Sequence, residues 1–206
     1  MSQFFYVHPD NPQPRLIRQS VDILRKGGVI VWPTDSGYAL ACRLEEKAAM
    51  ARICHIRKLD VLHNFTLICH DLSEIATYAY LDNQAFRLIK NSAPGNYTFI
   101  LKATKEVPRR LMNEKRKTIG IRVLSNAVSL ALLAMLKEPL MSTTLIRPGS
   151  DVVESNPEEI KTYLNKQVDL IIHGGYLEQH LTTVIDLTGV TPEIVRAGAG
   201  NLAPFS

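Results

Sequence analysis

The sequence predicts an α/β fold: one domain over residues 1–206 with a twisted mixed sheet flanked by helices. Three observations carry this. Short apolar, β-rich runs alternate with amphipathic helical stretches along the whole chain, the pattern of layered α/β folds. Some strand pairs are joined by links too short for a helical crossover, 32 to 38 and 187 to 193, so the sheet cannot be all parallel. No repeat, low-complexity tract or long linker divides the chain.

Pro14 opens a helical pattern through Leu16, Ile17, Val21 and Leu24 that stops at Gly27-Gly28. Pro in the first turn and Gly past the end are normal helix punctuation. Val29–Trp32 and Tyr38–Cys42 read as buried strands around the turn Pro33-Thr34-Asp35-Ser36-Gly37. A helix is expected over Glu45–Lys58, a strand over Thr66–Cys69 and a helix over Asn83–Lys90. "YTFILKA" is rich in β-formers and reads as a strand. A short helix over Val107–Asn113 and the strand "KTIGIRV" follow. Asn126 caps a helix to about Lys137, and "PLMSTTL" is a strand ending in hydroxyls. Ser155 or Asn156 caps the next helix, with Pro157 at its first position and Glu158 and Glu159 favouring its positive end. "VDLII", "TVIDL" and "EIVR" are the last strands, before a Gly-rich tail.

Of the 206 residues, 46% are hydrophobic and 21% charged, an ordinary globular composition. There is no apolar run of about 18 residues to cross a membrane. The start has no basic segment ahead of an apolar stretch, so no signal peptide is expected. Cys42, Cys54 and Cys69 are three cysteines at no motif spacing, which fits a reduced, cytoplasmic protein. Cys54-His55 and Cys69-His70 lack metal-ligand spacing, and no metal site is expected. The phosphate loops GxxxxGK[ST] and GxGxxG are absent. So is a nucleophile elbow around Ser36.

Net charge is +4. Its distribution says more. Between residues 102 and 122 eight cations, Lys102, Lys105, Arg109, Arg110, Lys115, Arg116, Lys117 and Arg122, face only Glu106 and Glu114. Such a block is either a solvated face or a footprint for a phosphate-rich partner such as RNA. Strand ends carry further cations and hydroxyls: Thr34, Ser36, Ser142, Thr143, Thr144, Thr182, Thr183, Arg122 and Arg196. Open α/β sheets bind ligands at strand ends. The set points to a polar, anionic ligand, although each hydroxyl alone could serve a turn or a cap. Trp32, Phe65, Tyr97 and Phe99 sit in apolar strand patterns and read as core. RNA would then be gripped by backbone and shape, as duplexes are.

"VIVWPTDSGYALAC" resembles the "PTDTxYGLG" signature of the YrdC/YciO family, related to the L-threonylcarbamoyladenylate synthases. "SAPGNYTFIL", "TIGIRV" and "DLIIHGG…LTTVIDL…EIVRAGAG" resemble its other motifs, in family order over about residues 14–200. "HNFTLIC" and "TTLIRPGS" are most similar to the YciO branch. The resemblance implies a twisted sheet with a basic concave surface, and double-stranded RNA or tRNA as partner. It also implies ATP, L-threonine and bicarbonate as substrates, Mg²⁺ accompanying ATP, and no tightly bound cofactor. It implies that Thr34, Asp35, Ser36 and Tyr38 line a threonine pocket. Arg122, Arg196, Thr182 and Thr183 would lie near a nucleotide, with Ser142, Thr144, Arg57, Lys58 and Arg147 as further phosphate contacts. A monomer is expected.

Two synthase motifs are altered. "KxR" places its lysine on Arg57 and its arginine on Leu59, or, counted back from Asn64, on Lys58 and Asp60. One cation is lost either way. "SxN" falls on Thr144 and Ile146, which removes an amide. Leu124 also stands where the family has Pro, and Tyr38-Ala39-Leu40-Ala41 replaces "YGLG". A missing polar partner costs about 1–3 kcal/mol. The expectation is an RNA-binding module that retains a nucleotide pocket. The alternatives are a weak or altered threonylcarbamoyladenylate synthase, and a lyase of similar fold, against which the lack of an acidic Mg²⁺ cluster argues.

Overall fold

The computed structural model describes residues 1–60 and 63–205. Val61 and Leu62, inside the altered "IRKLDVLHNFTL" stretch, and Ser206 lie outside the described residues. A ten-stranded sheet runs in the order β1-β8-β2-β3-β7-β4-β6-β5-β9-β10. The strands are β1 (Gln3–Tyr6), β2 (Ile30–Thr34), β3 (Gly37–Arg43), β4 (Thr66–Cys69), β5 (Tyr97–Lys102), β6 (Thr118–Val123), β7 (Leu140–Thr144), β8 (Leu170–His173), β9 (Thr183–Asp186) and β10 (Glu193–Arg196). The helices are α1 (Pro14–Arg25), α2 (Lys47–Arg57), α3 (Leu72–Tyr78), α4 (Asn83–Ser92), α5 (Ala127–Leu136) and α6 (Pro157–Leu164). The sheet is mixed. The short links give the antiparallel pairs β2–β3 and β9–β10, while β4–β6 and β5–β9 are parallel.

Among the strands and α-helices, two were not expected from the sequence. β1 is four residues long and exists by pairing in parallel with β8, Gln3 opposite Leu170. A strand so short is stabilised by a partner far away in sequence, which local pattern does not show. α3 is one short helix whose Asp71 cap accepts from the Ser73 and Glu74 amides. The helix expected over Val107–Asn113 is instead a single 3₁₀ turn, Arg109–Leu111. Pro108 immediately before it lacks an amide hydrogen. Elsewhere the caps fall where the sequence puts them: Asn126 accepts from the Val128 and Ser129 amides, and Asn156, not Ser155, accepts from Glu158 and Glu159.

Alternate residues of a strand point to opposite faces, and here each face has its own core. On one, Val31, Leu40, Met141, Ile121, Phe99 and Ile185 pack with Ile53 of α2, Ile75 of α3, Ile89 of α4 and Ile160 of α6. On the other, Trp32, Ala41, Leu140, Ile68 and Ile172 pack with Ile17 and Val21 of α1 and Leu132 and Leu136 of α5. The second core contains no buried apolar residue from β6, β5 or β9 among the described residues. Those strands turn Thr98, Ile100, Thr118, Gly120, Arg122 and Val184 into a concavity instead. No helix among the described residues is long and apolar enough to cross a membrane.

Candidate functional site

The concavity holds about 330 Å³, at the small end of ligand pockets, which run from about 300 to 1,000 Å³. Its floor is the part of this sheet face that α1 and α5 leave uncovered. β4 contributes Thr66, β5 Thr98, β6 Thr118 and Arg122, and β7 Ser142 and Thr144. Its walls include Arg57 at the end of α2, His63, Asn64, Asn113, Arg116, Thr182 and Arg196. No Asp or Glu lines it among the described residues.

Arg122 is the centre of its electrostatics. The side chain leaves the middle strand β6 and is only 6% exposed. Its Nε and Nη2 are buried with no hydrogen-bond partner among the described residues. Burial brings its pKa down to about 10, against the pull of Asp35, and Arg196 pushes the same way as burial. A buried guanidinium with unmade hydrogen bonds is costly. An anion in the cavity would remove that cost.

The other cations differ. Arg57 donates from Nη1 to the Ile146 carbonyl, and burial lowers its pKa. Arg196 grips Thr182, donating to its carbonyl from Nε at 3.1 Å and from Nη2 at 2.9 Å, and to Oγ1 at 3.1 Å. Thr182 Oγ1 lies 2.9 Å from Thr98 Oγ1. Arg116 donates to Asp186 Oδ2 at 2.6 Å and to Thr188 Oγ1 at 3.0 Å. His63 has its Nε2 3.3 Å from Thr143 Oγ1. Burial, and then Arg57, lower its pKa, so the ring is neutral near pH 7.

Of the residues singled out in the sequence, the structure gathers Arg57, Arg116, Arg122, Ser142, Thr144, Thr182 and Arg196 around one cavity. Others lie outside its lining. Thr34 Oγ1 donates to the Gly37 carbonyl at 2.6 Å and accepts the Ser36 amide at 3.2 Å, closing the turn on itself. Asp35 accepts from the Ser125 amide at 2.7 Å and its hydroxyl at 2.9 Å. Tyr38 points into the opposite core, donates to the Gly175 carbonyl at 2.7 Å, and has its phenol pushed up to about 12 by burial. Thr183 donates to the Gly200 carbonyl at 2.8 Å. Arg147 is paired with Glu154 at 2.6 Å and stands over the Tyr163 ring. Lys58 ends α2 in a left-handed conformation, φ 49°.

The basic segment borders the cavity through Asn113, Arg116 and Thr118. Lys102, Lys105, Arg109, Lys115, Arg116 and Lys117 are exposed. Arg110 is half-buried and donates to the Leu44 carbonyl. Trp32, Phe65 and Phe99 are buried, whereas Tyr97 is half-buried with its hydroxyl on the Asn201 carbonyl at 3.1 Å. His63, Asn64, Thr66, Thr98, Asn113 and Thr118 are cavity residues that sequence reasoning missed, whereas Thr143 was among the strand-end hydroxyls singled out. The signal for three of them was present: Thr66, Thr98 and Thr118 are polar residues on strands whose other face is apolar.

The model of the Sua5/YciO/YrdC family, described as "Telomere recombination", matches residues 22–198. The chain belongs to that family. Among Sua5/YciO/YrdC relatives, the YciO protein of Escherichia coli is 68% identical over 205 residues, covering 100% of both chains. Its crystal structure matches this fold with a TM-score of 0.97. A threonylcarbamoyl-AMP synthase of Coxiella burnetii is 27% identical over 181 residues, 87% of this chain and 96% of that one. P. abyssi Sua5 complexed with L-threonine has a TM-score of 0.88 at 21% identity, over 96% of this chain and 58% of that chain. At that identity the likeness is one of fold.

Proposed function

We propose that this family member binds RNA on its basic concave face and seats a phosphate-bearing nucleotide in the cavity. The observation that carries the reading is Arg122: a buried guanidinium with two unpartnered nitrogens, Nε and Nη2, lining a cavity free of carboxylates among the described residues. A site with that charge selects anions. The exposed Lys102, Lys105, Arg109, Lys115 and Lys117 on the bordering segment supply a sequence-independent grip on a nucleic-acid backbone. Arg110 and Arg116 are less available, being held by Leu44 and Asp186. A Mg²⁺ arriving with a nucleotide would be coordinated by that nucleotide's phosphates, because the cavity offers it hydroxyls and amides but no carboxylate among the described residues.

The test is the salt dependence of duplex RNA binding, read by filter retention. The affinity is expected to fall linearly on a log–log plot against salt. Replacing Lys105, Arg109, Lys115 and Lys117 together by Gln should weaken binding uniformly across sequences and flatten the slope by roughly one per phosphate contact removed. Binding indifferent to salt or to these changes overturns the reading. Pyrophosphate release that requires ATP, bicarbonate and L-threonine together would establish synthase activity instead of a binding role alone.

A further inference from the structure

We infer that the cavity receives the phosphorylated end of an RNA strand, rather than an internal stretch of one. The inference rests on the RNA reading above and specifies which part of the molecule enters. Three features lead to it.

The first is size. About 330 Å³ suits one small ligand, since pockets that enclose most of a drug-sized molecule begin near this volume. A duplex cannot enter it, and an internal nucleotide would need its chain to leave on both sides. A terminal nucleotide leaves on one.

The second is charge. Arg57, Arg116, Arg122 and Arg196 line the cavity with no carboxylate in the lining among the described residues. Arg116 is neutralised by Asp186. Arg122 and Arg196 have no ion-pair partner within salt-bridge distance among the described residues, though Asp35 acts on Arg122 from further off. A phosphodiester brings one negative charge. A phosphomonoester brings about −1.5 to −2 at pH 7 and three acceptor oxygens. The second matches a site with more than one uncompensated guanidinium.

The third is the state of Arg122. Arg122 lines the cavity floor, and two of its nitrogens, Nε and Nη2, are buried and unpartnered among the described residues. They are donors in a fork, which fits two oxygens of one phosphate. The exposed lysines of the bordering segment then meet the strand as it leaves.

The test compares one hairpin RNA with unpaired ends, carrying a 5′-phosphate, a 5′-hydroxyl or a 3′-phosphate, and the same sequence closed into a circle. Binding is read by fluorescence anisotropy at fixed salt, with AMP as competitor. A phosphorylated end is expected to bind at least about tenfold tighter than the hydroxyl end or the circle, the gain of one extra charge-assisted contact. AMP should displace that gain. Arg122→Leu and, separately, Arg196→Gln should collapse the difference, with melting curves confirming that each variant is folded. Equal binding of all four RNAs overturns the inference and leaves the RNA reading standing. AMP binding without binding of any RNA overturns both, making the cavity a site for free nucleotide. Binding of neither overturns the cavity reading altogether.

Discussion

Arg57 donates a hydrogen bond from its guanidinium to the backbone carbonyl of Ile146. On the alignment that puts the KxR lysine on Arg57, a residue of one altered motif therefore meets Ile146 of the other. The arginine at one is spent on the main chain at the other. Ile146 is held from its far side as well, by a bridge to Val153.

Removing that tie has a measurable effect. Arg57→Ala leaves the Ile146 carbonyl without this donor at the rim of the cavity. Water can reach it there, so the expected loss of stability is at the low end for an unmade bond, about 1 kcal/mol. Urea denaturation checks it through a lower midpoint with an unchanged slope. An unchanged midpoint would show that the contact contributes nothing.

Asp35 is joined to Ser125 by two hydrogen bonds and acts electrostatically on the buried Arg122. Asp35→Asn removes the negative charge but keeps a similar shape. Arg122 then loses the counter-charge that favours its ionised form. The expected result is destabilisation of about 1–3 kcal/mol together with tighter binding of an anionic ligand. Calorimetric titration with AMP, alongside a thermal melt, reads both. A variant that is both stable and weaker for anions contradicts this picture of the site.

His63 links the cavity to pH. Burial and Arg57 hold its pKa below 6.5 in the fold, while the unfolded chain keeps an ordinary histidine. Between the lowered folded value and about 6.5 the unfolded state binds more protons. Stability in that window therefore rises with pH and falls as pH drops. His63→Gln should flatten that part of the stability–pH curve, as measured by denaturation at several pH values from 5 to about 7. An unaltered curve would place the titration elsewhere.

Much of the fold was legible because most elements carry their own local signals. α1 has Pro14 at its start and Gly27 just past its end. α5 and α6 have Asn126 and Asn156 as caps. β1 had no such signal, because its hydrogen bonds come from β8. The site divides the same way. Arg122, Arg196 and Thr182 stood out as polar residues at the ends of apolar strands, and the cavity contains them. Thr34, Ser36 and Tyr38 stood out equally, yet their hydrogen bonds are made within the turn or in the opposite core. A strand's sequence says that its two faces differ. It does not say which face a helix will cover. Thr66, Thr98 and Thr118 are cavity residues because α1 and α5 stop short of them, and that is decided by packing across the sheet.

The pairing of β1 with β8 also constrains the order in which the molecule is made. Gln3 lies beside Leu170 in the sheet, so nearly the whole chain separates two adjacent strands. A ribosome delivers the first of them long before the second exists. Until β8 emerges, Phe4 and Phe5 of β1 lack the strand they pair with in the finished sheet. Contacts this distant in sequence slow folding. β1 is thus synthesised well before β8 and can reach its place only after it, and a nascent chain halted before residue 170 lacks the strand against which β1 settles.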